Sequence, residues 1–312
     1  MKVVFFGTPE FAVPTLRRLV RGDHRVTLVV SRPDKPVGRH QVLSSPPVVE
    51  LANKLGLPVI QPKSLKGQEV AQMMRGAGVD IGVVVAYGRL IPPGILGIPH
   101  LGIINLHPSL LPRHRGPSPI QWALATGDTT TGVTTMVLDE GMDTGPLLLQ
   151  ESVEILPLEN AADLSARLAE VGAELVVRTL DGLATGTVAP QAQPDEGANV
   201  TPMIRRSFAK VDWSMPARQL VNRLRAFTPW PGLYTKFRGG RLKLHGLEEV
   251  RQPPHGAEEA GTVLWADAQG IVLRCGWGTA VRITELQREG RRRMPADAFL
   301  IGERVVAGEL FG

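Results

Sequence analysis

Two polar side chains, Asn105 and His107, stand at the end of an apolar run that reads as a buried strand. Residues i and i+2 of an extended segment point to the same face, about 6–7 Å apart along the chain. In an open α/β sheet, the crevice beyond the carboxyl ends of the strands is where ligands bind. An amide can donate to a developing oxyanion and an imidazole can accept a proton, so the pair predicts acid–base chemistry. A strand that simply ends in a polar turn is the alternative.

A second polar segment, residues 139–145 with the sequence DEGMDTG, follows a β-branched run. Two glycines among acids favour a shaped loop over a helix. If both strands lie in one sheet, Asp143 can approach His107, where its carboxylate orients the imidazole and raises its pKa. We therefore predict Asn105, His107 and Asp143 as the catalytic set, although this loop motif by itself also fits a plain turn.

Composition bounds the class of protein. The chain has 312 residues, 43% hydrophobic and 21% charged, which is ordinary for a globular protein long enough for two domains. Its single cysteine, Cys275, rules out an internal disulfide and a thiolate metal cluster, and it reads as a buried inert thiol in a strand. The histidines lack the spacing of a zinc site, so we expect no metal.

We expect neither a signal peptide nor a membrane-spanning segment. The apolar run at the N-terminus is too short for a signal-peptide core. No apolar stretch approaches the roughly 18–20 residues needed to span a bilayer. We expect a cytoplasmic protein without a membrane partner.

Charge is distributed unevenly along the chain. Residues 1–204 carry 17 Lys and Arg against 19 Asp and Glu, whereas residues 205–312 carry 18 against 11. The balances, −2 and +7, account for the overall charge of +5. A basic C-terminal third suggests a polyanion bound there, although a solvated basic surface would look the same.

The first half of the chain alternates strands and helices, the pattern of an α/β fold. We predict a Rossmann-like, mostly parallel sheet with helices on both faces, in a catalytic domain over residues 1–189. The turn after the first strand reads Gly7-Thr8-Pro9, without the glycines of a dinucleotide-binding loop. A nicotinamide or flavin dinucleotide is therefore excluded.

The C-terminal part has a different pattern. Residues 190–207, rich in Gln, Pro, Gly and Asn, read as a linker. Residues 208–312 contain short strands separated by glycine turns, which predicts a small OB-like β-barrel. Its exposed arginines, Arg291, Arg292 and Arg293, indicate nucleic-acid binding.

A long polar loop, residues 31–47, contains four prolines and a positive tip. Loops of this length without secondary structure are usually functional or disordered. Arg32, Lys35 and Arg39 in this loop suit phosphate contacts.

Several motifs together resemble the 10-formyltetrahydrofolate-dependent formyltransferases. They extend along most of the chain and are specific as a set, though none is specific alone. The matching segments are VVFFGTPEFA at residues 3–12, RPDKPVGR at 32–39, VVVAYGRLIP at 83–92, NLHPSLLPRHRGPSPI at 105–120, the acidic loop at 139–145 and RAFTPWPG at 225–232.

The resemblance implies transfer of a formyl group from 10-formyltetrahydrofolate to the α-amino group of methionyl initiator tRNA, for translation initiation. It implies no metal and no obligate protein partner. It places Phe11 at the methionine side chain and the Arg39 loop at the acceptor stem of the tRNA. It also implies a folate pocket lined by Ser109, Leu110, Leu111, Pro112, Arg89, Leu90, Ile91 and Asp139.

The chain departs from the family pattern at two places. After Arg39 relatives often continue Gly-Lys-Lys, where this chain has His40, Gln41 and Val42, so we expect fewer phosphate contacts from that loop. His114 stands where relatives usually carry Tyr or Trp, which leaves the packing around Arg115 open.

Two other functions stay open at the level of sequence. A relative with the same catalytic half could formylate a small amine, such as glycinamide ribonucleotide or a nucleotide-linked amino sugar. Nothing in the predicted catalytic set distinguishes these acceptors, but the basic barrel and the arginine-bearing loop favour tRNA. A non-enzymatic RNA-binding protein is the remaining alternative, and it leaves Asn105 and His107 unexplained.

Overall fold

The computed structural model describes residues 1–38 and 41–312. In the N-terminal part of the chain its strands are β1 (Lys2–Gly7), β2 (Arg25–Val30), β3 (Lys35–Val37), β4 (Val42–Ser44), β5 (Val59–Ile60), β6 (Ile81–Val85), β7 (Ile103–His107), β8 (Thr130–Val137) and β9 (Leu147–Glu154). The helices are α1 (Val13–Arg21), α2 (Pro47–Lys54), α3 (Glu69–Ala77), α4 (Pro93–Leu96), α5 (Pro119–Thr126) and α6 (Ala161–Thr185).

Seven of these strands form one sheet in the order β5-β2-β1-β6-β7-β8-β9. The pairings from β5 to β7 are parallel, and those of β7 with β8 and of β8 with β9 are antiparallel. The prediction of an α/β fold with a mostly parallel sheet is therefore confirmed. The strands β1 and β6 at its centre are continuous apolar runs, as burial on both faces requires.

Helices cover both faces of the sheet. On one face, Val4 and Phe6 of β1 belong to a buried cluster that also contains Val70 and Met74 of α3. On the other face, Leu106 of β7 lies against Gly172 of α6, where a Cβ would come within 2.6 Å of the leucine. This glycine lets α6 approach the strand that carries the predicted catalytic residues.

The loop predicted over residues 31–47 is not structureless. Within it, β3 and β4 pair as a two-stranded antiparallel sheet, with Lys35 opposite Ser44. The sequence-based expectation of an irregular loop was therefore wrong at these positions. The valines and leucine that form the pairing stand among prolines, and this mixture conceals the strand pattern.

The chain divides into two compact units. The first contains residues 1–119, 130–154 and 165–201, and the second contains residues 120–129, 155–164 and 202–312. Residues 191–201, predicted as part of a linker, belong to the first unit and are hydrogen-bonded to it at several points. We call this segment the strap. The predicted domain boundaries at 189 and 207 remain predictions.

The second unit contains an antiparallel sheet of strands β10 (Leu233–Phe237), β11 (Gly240–Glu249), β12 (Val263–Asp267), β13 (Gly270–Arg274), β14 (Ala280–Arg288) and β15 (Met294–Pro295). Its order is β10-β11-β14-β13-β12, with β15 beside β14. Helices α7 (Ala217–Phe227) and α8 (Ala296–Gly302) complete the unit. These elements confirm the predicted C-terminal domain of short strands.

The C-terminal tail joins the two edges of this second sheet. Phe311 pairs with Phe237 of β10, and Leu310 pairs with Thr262, the residue before β12. The rings of Phe237 and Phe311 stack with their centroids 4.4 Å apart. The tail thus pairs with one end of each edge of the sheet, which shortens the row of unpaired backbone groups there.

Candidate active site

Strand β7 carries two of the predicted catalytic residues on one face. Asn105 and His107 alternate with Leu106, which points to α6 on the opposite face. Both lie inside the strand, where Asn105 pairs with Met136 and His107 with Thr134 of β8. Their placement therefore follows from the two-residue period of a β-strand, as the sequence predicted.

The imidazole of His107 is buried, with 4% of the residue exposed. Its Nε2 lies 2.9 Å from the carbonyl oxygen of His114. A carbonyl can only accept a hydrogen bond, so Nε2 must carry the proton in the neutral ring. Nδ1 is consequently the ring atom that can accept a further proton.

Asp143 lies beside that nitrogen. Its Oδ2 is 3.6 Å from Nδ1 of His107 and accepts a hydrogen bond of 2.8 Å from the backbone N–H of Gly116. The separation from Nδ1 exceeds a hydrogen bond, which agrees with an unprotonated nitrogen facing a carboxylate. Protonation of Nδ1 would turn this contact into an ion pair.

The acidic loop reaches His107 by doubling back. Because β8 is antiparallel to β7, the end of β8 at Val137 lies beside Ile104, three residues before His107 along β7. The loop leaves there and returns there, since the N–H of Val137 donates to the carbonyl of Pro146. At its tip Asp143 has a φ of 55°, a left-handed conformation that is uncommon outside glycine.

Burial lowers the pKa of His107 below its usual value of 6.5, and this effect exceeds the opposing influences of Asp143 and the His114 carbonyl. The sequence-based expectation that the carboxylate would raise the pKa was therefore wrong in its net direction. The pKa is lowered because desolvation of the buried His107 ring penalises its charged form more than the carboxylate of Asp143, 3.6 Å away, favours it. The imidazole is neutral at pH 7.

The side-chain amide of Asn105 is half-buried and makes no hydrogen bond to residues 1–38 or 41–312. The amide atoms are not among the buried polar atoms that lack a partner, so solvent or a bound molecule can reach them. The amide is thus available to donate to a ligand on the face that it shares with His107.

The loop after β7 is fixed by side chains of β8 and β9 that the sequence did not single out. Thr134 donates to the carbonyl of Ser109 and accepts from the N–H of Leu111, at 2.6 and 3.2 Å. Gln150 donates to the carbonyl of Leu111 at 2.9 Å. No local pattern marks Thr134 and Gln150, because each reads as an ordinary strand residue.

The strap supplies a second set of contacts that sequence analysis missed. The side-chain oxygen of Asn199 accepts a hydrogen bond of 2.5 Å from the N–H of His114. The backbone carbonyl of Asn199 accepts from the N–H of Arg115. The N–H and hydroxyl of Thr201 donate to the carbonyl of Arg115 at 2.7 and 2.9 Å. These bonds hold the backbone whose carbonyl contacts His107.

The residues expected around folate fall into two groups. The side chains of Ser109, Leu111 and Ile91 are buried, so they shape the region rather than present a free surface. Partly or fully exposed are Leu110, Pro112, Arg89, Leu90 and Asp139. Among these, Arg89 donates to the carbonyl of Pro62 and Asp139 accepts from Thr144, each at 2.9 Å.

The residues expected at the acceptor substrate are spread over both units. Phe11 and Arg32 are half-buried and Lys35 is exposed in β3. Arg39 lies outside the described residues. In the second unit Arg291, Arg292 and Arg293 are all exposed, but Arg293 forms an ion pair with Glu285.

Cys275 is buried, and burial raises the pKa of its thiol to about 12. The thiolate is the reactive form of cysteine, so this group is inert at neutral pH, as the sequence predicted.

In the part of the chain that the structure describes, no cluster of three His, Cys, Asp or Glu side chains could hold a metal ion. Over the same residues, every helix is too short or too polar to cross a membrane.

Comparison with known proteins defines the class. Residues 1–180 match the family described as Formyl transferase, and residues 203–304 match Formyl transferase, C-terminal domain. The chain therefore belongs to the formyl transferase family.

Relatives that match the chain over its full length share one name within this family. The chain is 43% identical to "Methionyl-tRNA formyltransferase" of Solibacter usitatus, over 100% of this chain and 99% of the relative. It is 46% identical to the protein of the same name from Acidobacterium capsulatum, over 97% of this chain and 96% of the relative.

A solved structure supports the fold. The N-formyltransferase from Helicobacter canadensis, in complex with folinic acid and dTDP-3-aminofucose, superimposes with a TM-score of 0.66 at 16% identity. The match covers 92% of this chain and 99% of that protein.

Proposed function

We propose that this protein transfers a formyl group from 10-formyltetrahydrofolate to the α-amino group of methionyl initiator tRNA. The family and the full-length identity to methionyl-tRNA formyltransferases support the reaction. The observation that carries the chemistry is the neutral His107, with Nδ1 beside Asp143 and the amide of Asn105 on the same face.

His107 is the general base of this proposal. The ammonium group of the acceptor must lose a proton before its nitrogen can attack, and Nδ1 of a neutral imidazole can accept that proton. When the formyl carbon separates from the tetrahydrofolate nitrogen, His107 can return the proton to that leaving nitrogen. The carbonyl of His114 holds the other ring proton at Nε2, so the ring keeps one tautomer and one orientation. Asp143 stabilises the imidazolium that forms, since its carboxylate already lies 3.6 Å from Nδ1.

Asn105 is the oxyanion donor. When bound, 10-formyltetrahydrofolate supplies an electrophilic formyl carbon whose oxygen gains charge as the amine adds. The amide N–H of Asn105 would donate to that oxygen, and a donor of this kind typically contributes about 2.7–4 kcal/mol. The amide suits this role because it has no hydrogen-bond partner in the described chain.

We assign the folate to the surface around the loop after β7, between residues 89–91, 109–112 and Asp139. The networks of Thr134 and Gln150 keep that loop rigid, which favours a preformed pocket. The tRNA is assigned to the basic residues of the second unit, together with Arg32, Lys35 and Arg39. The charge balance of +7 in residues 205–312 supports this assignment.

An acceptor test decides the function. The purified protein is given 10-formyltetrahydrofolate with charged initiator tRNA, free methionine, glycinamide ribonucleotide or a nucleotide-linked amino sugar. We expect formylation of the charged tRNA alone. Preferential formylation of a small amine would replace the proposed acceptor while keeping the chemistry, and no transfer to any acceptor would refute both.

A further inference from the structure

We propose that Gln193, in the strap, is a positioning residue that sets the distance between Asp143 and His107. The proposal rests on the formyl transfer proposed above. The side-chain nitrogen of Gln193 donates to the carbonyls of Asp143 and Gly145, at 2.9 and 2.7 Å. Its side-chain oxygen accepts from Nε and Nη2 of Arg115, at 3.1 and 2.7 Å.

The four bonds fix the amide in one orientation. A guanidinium can only donate and a backbone carbonyl can only accept, so the oxygen must face Arg115 and the nitrogen must face the acidic loop. Within residues 189–200, all of which the structure describes, Gln193 is the single residue that is half-buried, and the others are exposed. In the strap, the side chain of Gln193 thus turns toward the acidic loop, as those of Asn199 and Thr201 turn toward the backbone of His114 and Arg115.

The two groups that Gln193 connects are the ones that hold the reacting pair. Arg115 lies between His114, whose carbonyl accepts from Nε2 of His107, and Gly116, whose N–H donates to Oδ2 of Asp143. On its other side the amide holds the backbone of Asp143 itself. Gln193 thus closes a ring of contacts that passes through both members of the pair.

This ring matters because the carboxylate approaches Nδ1 without a direct hydrogen bond. The separation is set by the backbone that carries each group and by the hydrogen bonds that hold the two side chains, from Gly116 to Asp143 and from His107 to the His114 carbonyl. Asp143 is also in a left-handed conformation, which neighbouring contacts must maintain. Loss of the two bonds from Gln193 would release that backbone, and small displacements at a reacting centre reduce rates strongly.

The test compares Gln193→Met with Gln191→Met. Gln191 has the same residue type two positions earlier and an exposed side chain, and its backbone exchanges two hydrogen bonds with the backbone of Leu147. We expect Gln193→Met to lower kcat for charged tRNA roughly tenfold or more. Gln191→Met should match the wild type. Equal kcat in the two variants would overturn the proposal.

A second variant, Gln193→Glu, covers the case in which Gln193→Met does not fold. It keeps the shape of the side chain and the oxygen that faces Arg115, but it removes both donors to the acidic loop. We expect the same loss of kcat as in Gln193→Met, and wild-type turnover would refute the role of those donors.

A double-mutant cycle with Asp143→Asn separates positioning from general stabilisation. If Gln193 acts through the carboxylate, Gln193→Met should change kcat by less than about twofold in the Asp143→Asn background. A full additional loss would show that Gln193 only stabilises the fold, and would overturn the proposal.

An NMR titration of the His107 ring needs no substrate, so it also distinguishes this inference from the proposed function. We expect a lower pKa in Gln193→Met than in Gln191→Met, because Asp143 raises the pKa of His107 and would lie farther away. An identical pKa of His107 in the two variants would contradict the inference even if the enzyme is active. An inactive wild type whose variants show the expected pKa difference would refute only the proposed reaction.

Discussion

At the scale of single residues, the site depends on a neutral histidine with only one free ring nitrogen. The His114 carbonyl holds the proton on Nε2, and burial keeps the ring uncharged. This arrangement makes His107 ready to accept a proton at Nδ1, next to a carboxylate that would balance the new charge.

Alanine substitution of Asn105, His107 or Asp143 should lower kcat by roughly a hundredfold or more in each case, because each removes a donor, base or counter-charge. His100→Ala provides the control, since His100 is an exposed histidine outside this site. The measurement is steady-state formylation of charged tRNA, with a thermal melt to verify folding. Near-normal turnover of His107→Ala would exclude its role as base.

The lowered pKa of His107 should make stability depend on pH. The pKa of His107 is lower in the folded chain than its usual value of 6.5, so the unfolded chain binds this proton more tightly than the folded chain does. The free energy of unfolding therefore decreases as pH falls through that value, and this contribution is fully lost below the folded pKa. Urea unfolding between pH 8 and 5 should show a smaller decrease for His107→Gln than for the wild type. Parallel curves would contradict the depressed pKa.

At the scale of elements, one antiparallel pairing determines how the acidic loop must run. The loop returns to its starting point at Val137, and Gly145 lies at the return, where a Cβ would be 1.8 Å from the carbonyl oxygen of Val137. Backbone cannot move aside as a flexible side chain can. The glycine is therefore required by a close approach of two chain segments.

Gly145→Ala should lower the free energy of unfolding by about 1–3 kcal/mol, the usual cost of overpacking, and should also reduce kcat by displacing Asp143. Gly94→Ala is the matched control, because an added Cβ there meets no atom within 4 Å. Denaturant unfolding and turnover test both effects. Unchanged turnover in a destabilised Gly145→Ala protein would separate the loop backbone from the chemistry.

The sequence predicted the elements well but not the contacts between them. The alternation of strands and helices in the first half of the chain and the short strands of the C-terminal part were predicted and are observed, because apolar periodicity is a local property. The pairing β3–β4 and the role of the strap were missed. Gln193 bonds to residues 50 and 78 positions away, and no local pattern encodes such a partner. The pKa of His107 was misjudged for the same reason, since burial depends on the whole fold.

At the scale of the whole molecule, charge separates the two parts of the sequence, with −2 in residues 1–204 and +7 in residues 205–312. Exposed arginines attract a phosphate backbone only if their charge is not already balanced. Arg293 is paired with Glu285, whose pKa this ion pair lowers. Arg291 and Arg292 are therefore the stronger candidates for phosphate contacts.

Arg291→Ala and Arg292→Ala should each weaken tRNA binding and reduce the slope of log affinity against log salt by about 1, as expected for one lost phosphate contact. Arg293→Ala should have a smaller effect. Arg75→Ala, which changes an exposed arginine of α3, serves as the control. Filter binding over 0.05–0.3 M salt, on the order of physiological values, measures the slopes. Equal effects of Arg291→Ala and Arg75→Ala would place the tRNA elsewhere.

The strap also determines where this protein can be divided for engineering. Its residues come last in the first unit, yet they carry bonds to the backbone around His107 and Asp143. A chimera that takes the C-terminal part of a relative should keep the native sequence through Thr201 and change at Pro202, where the last and longest segment of the second unit begins. A junction at residue 190 would exchange Gln193, Asn199 and Thr201 with the grafted part and impair the chemistry of an otherwise intact catalytic half.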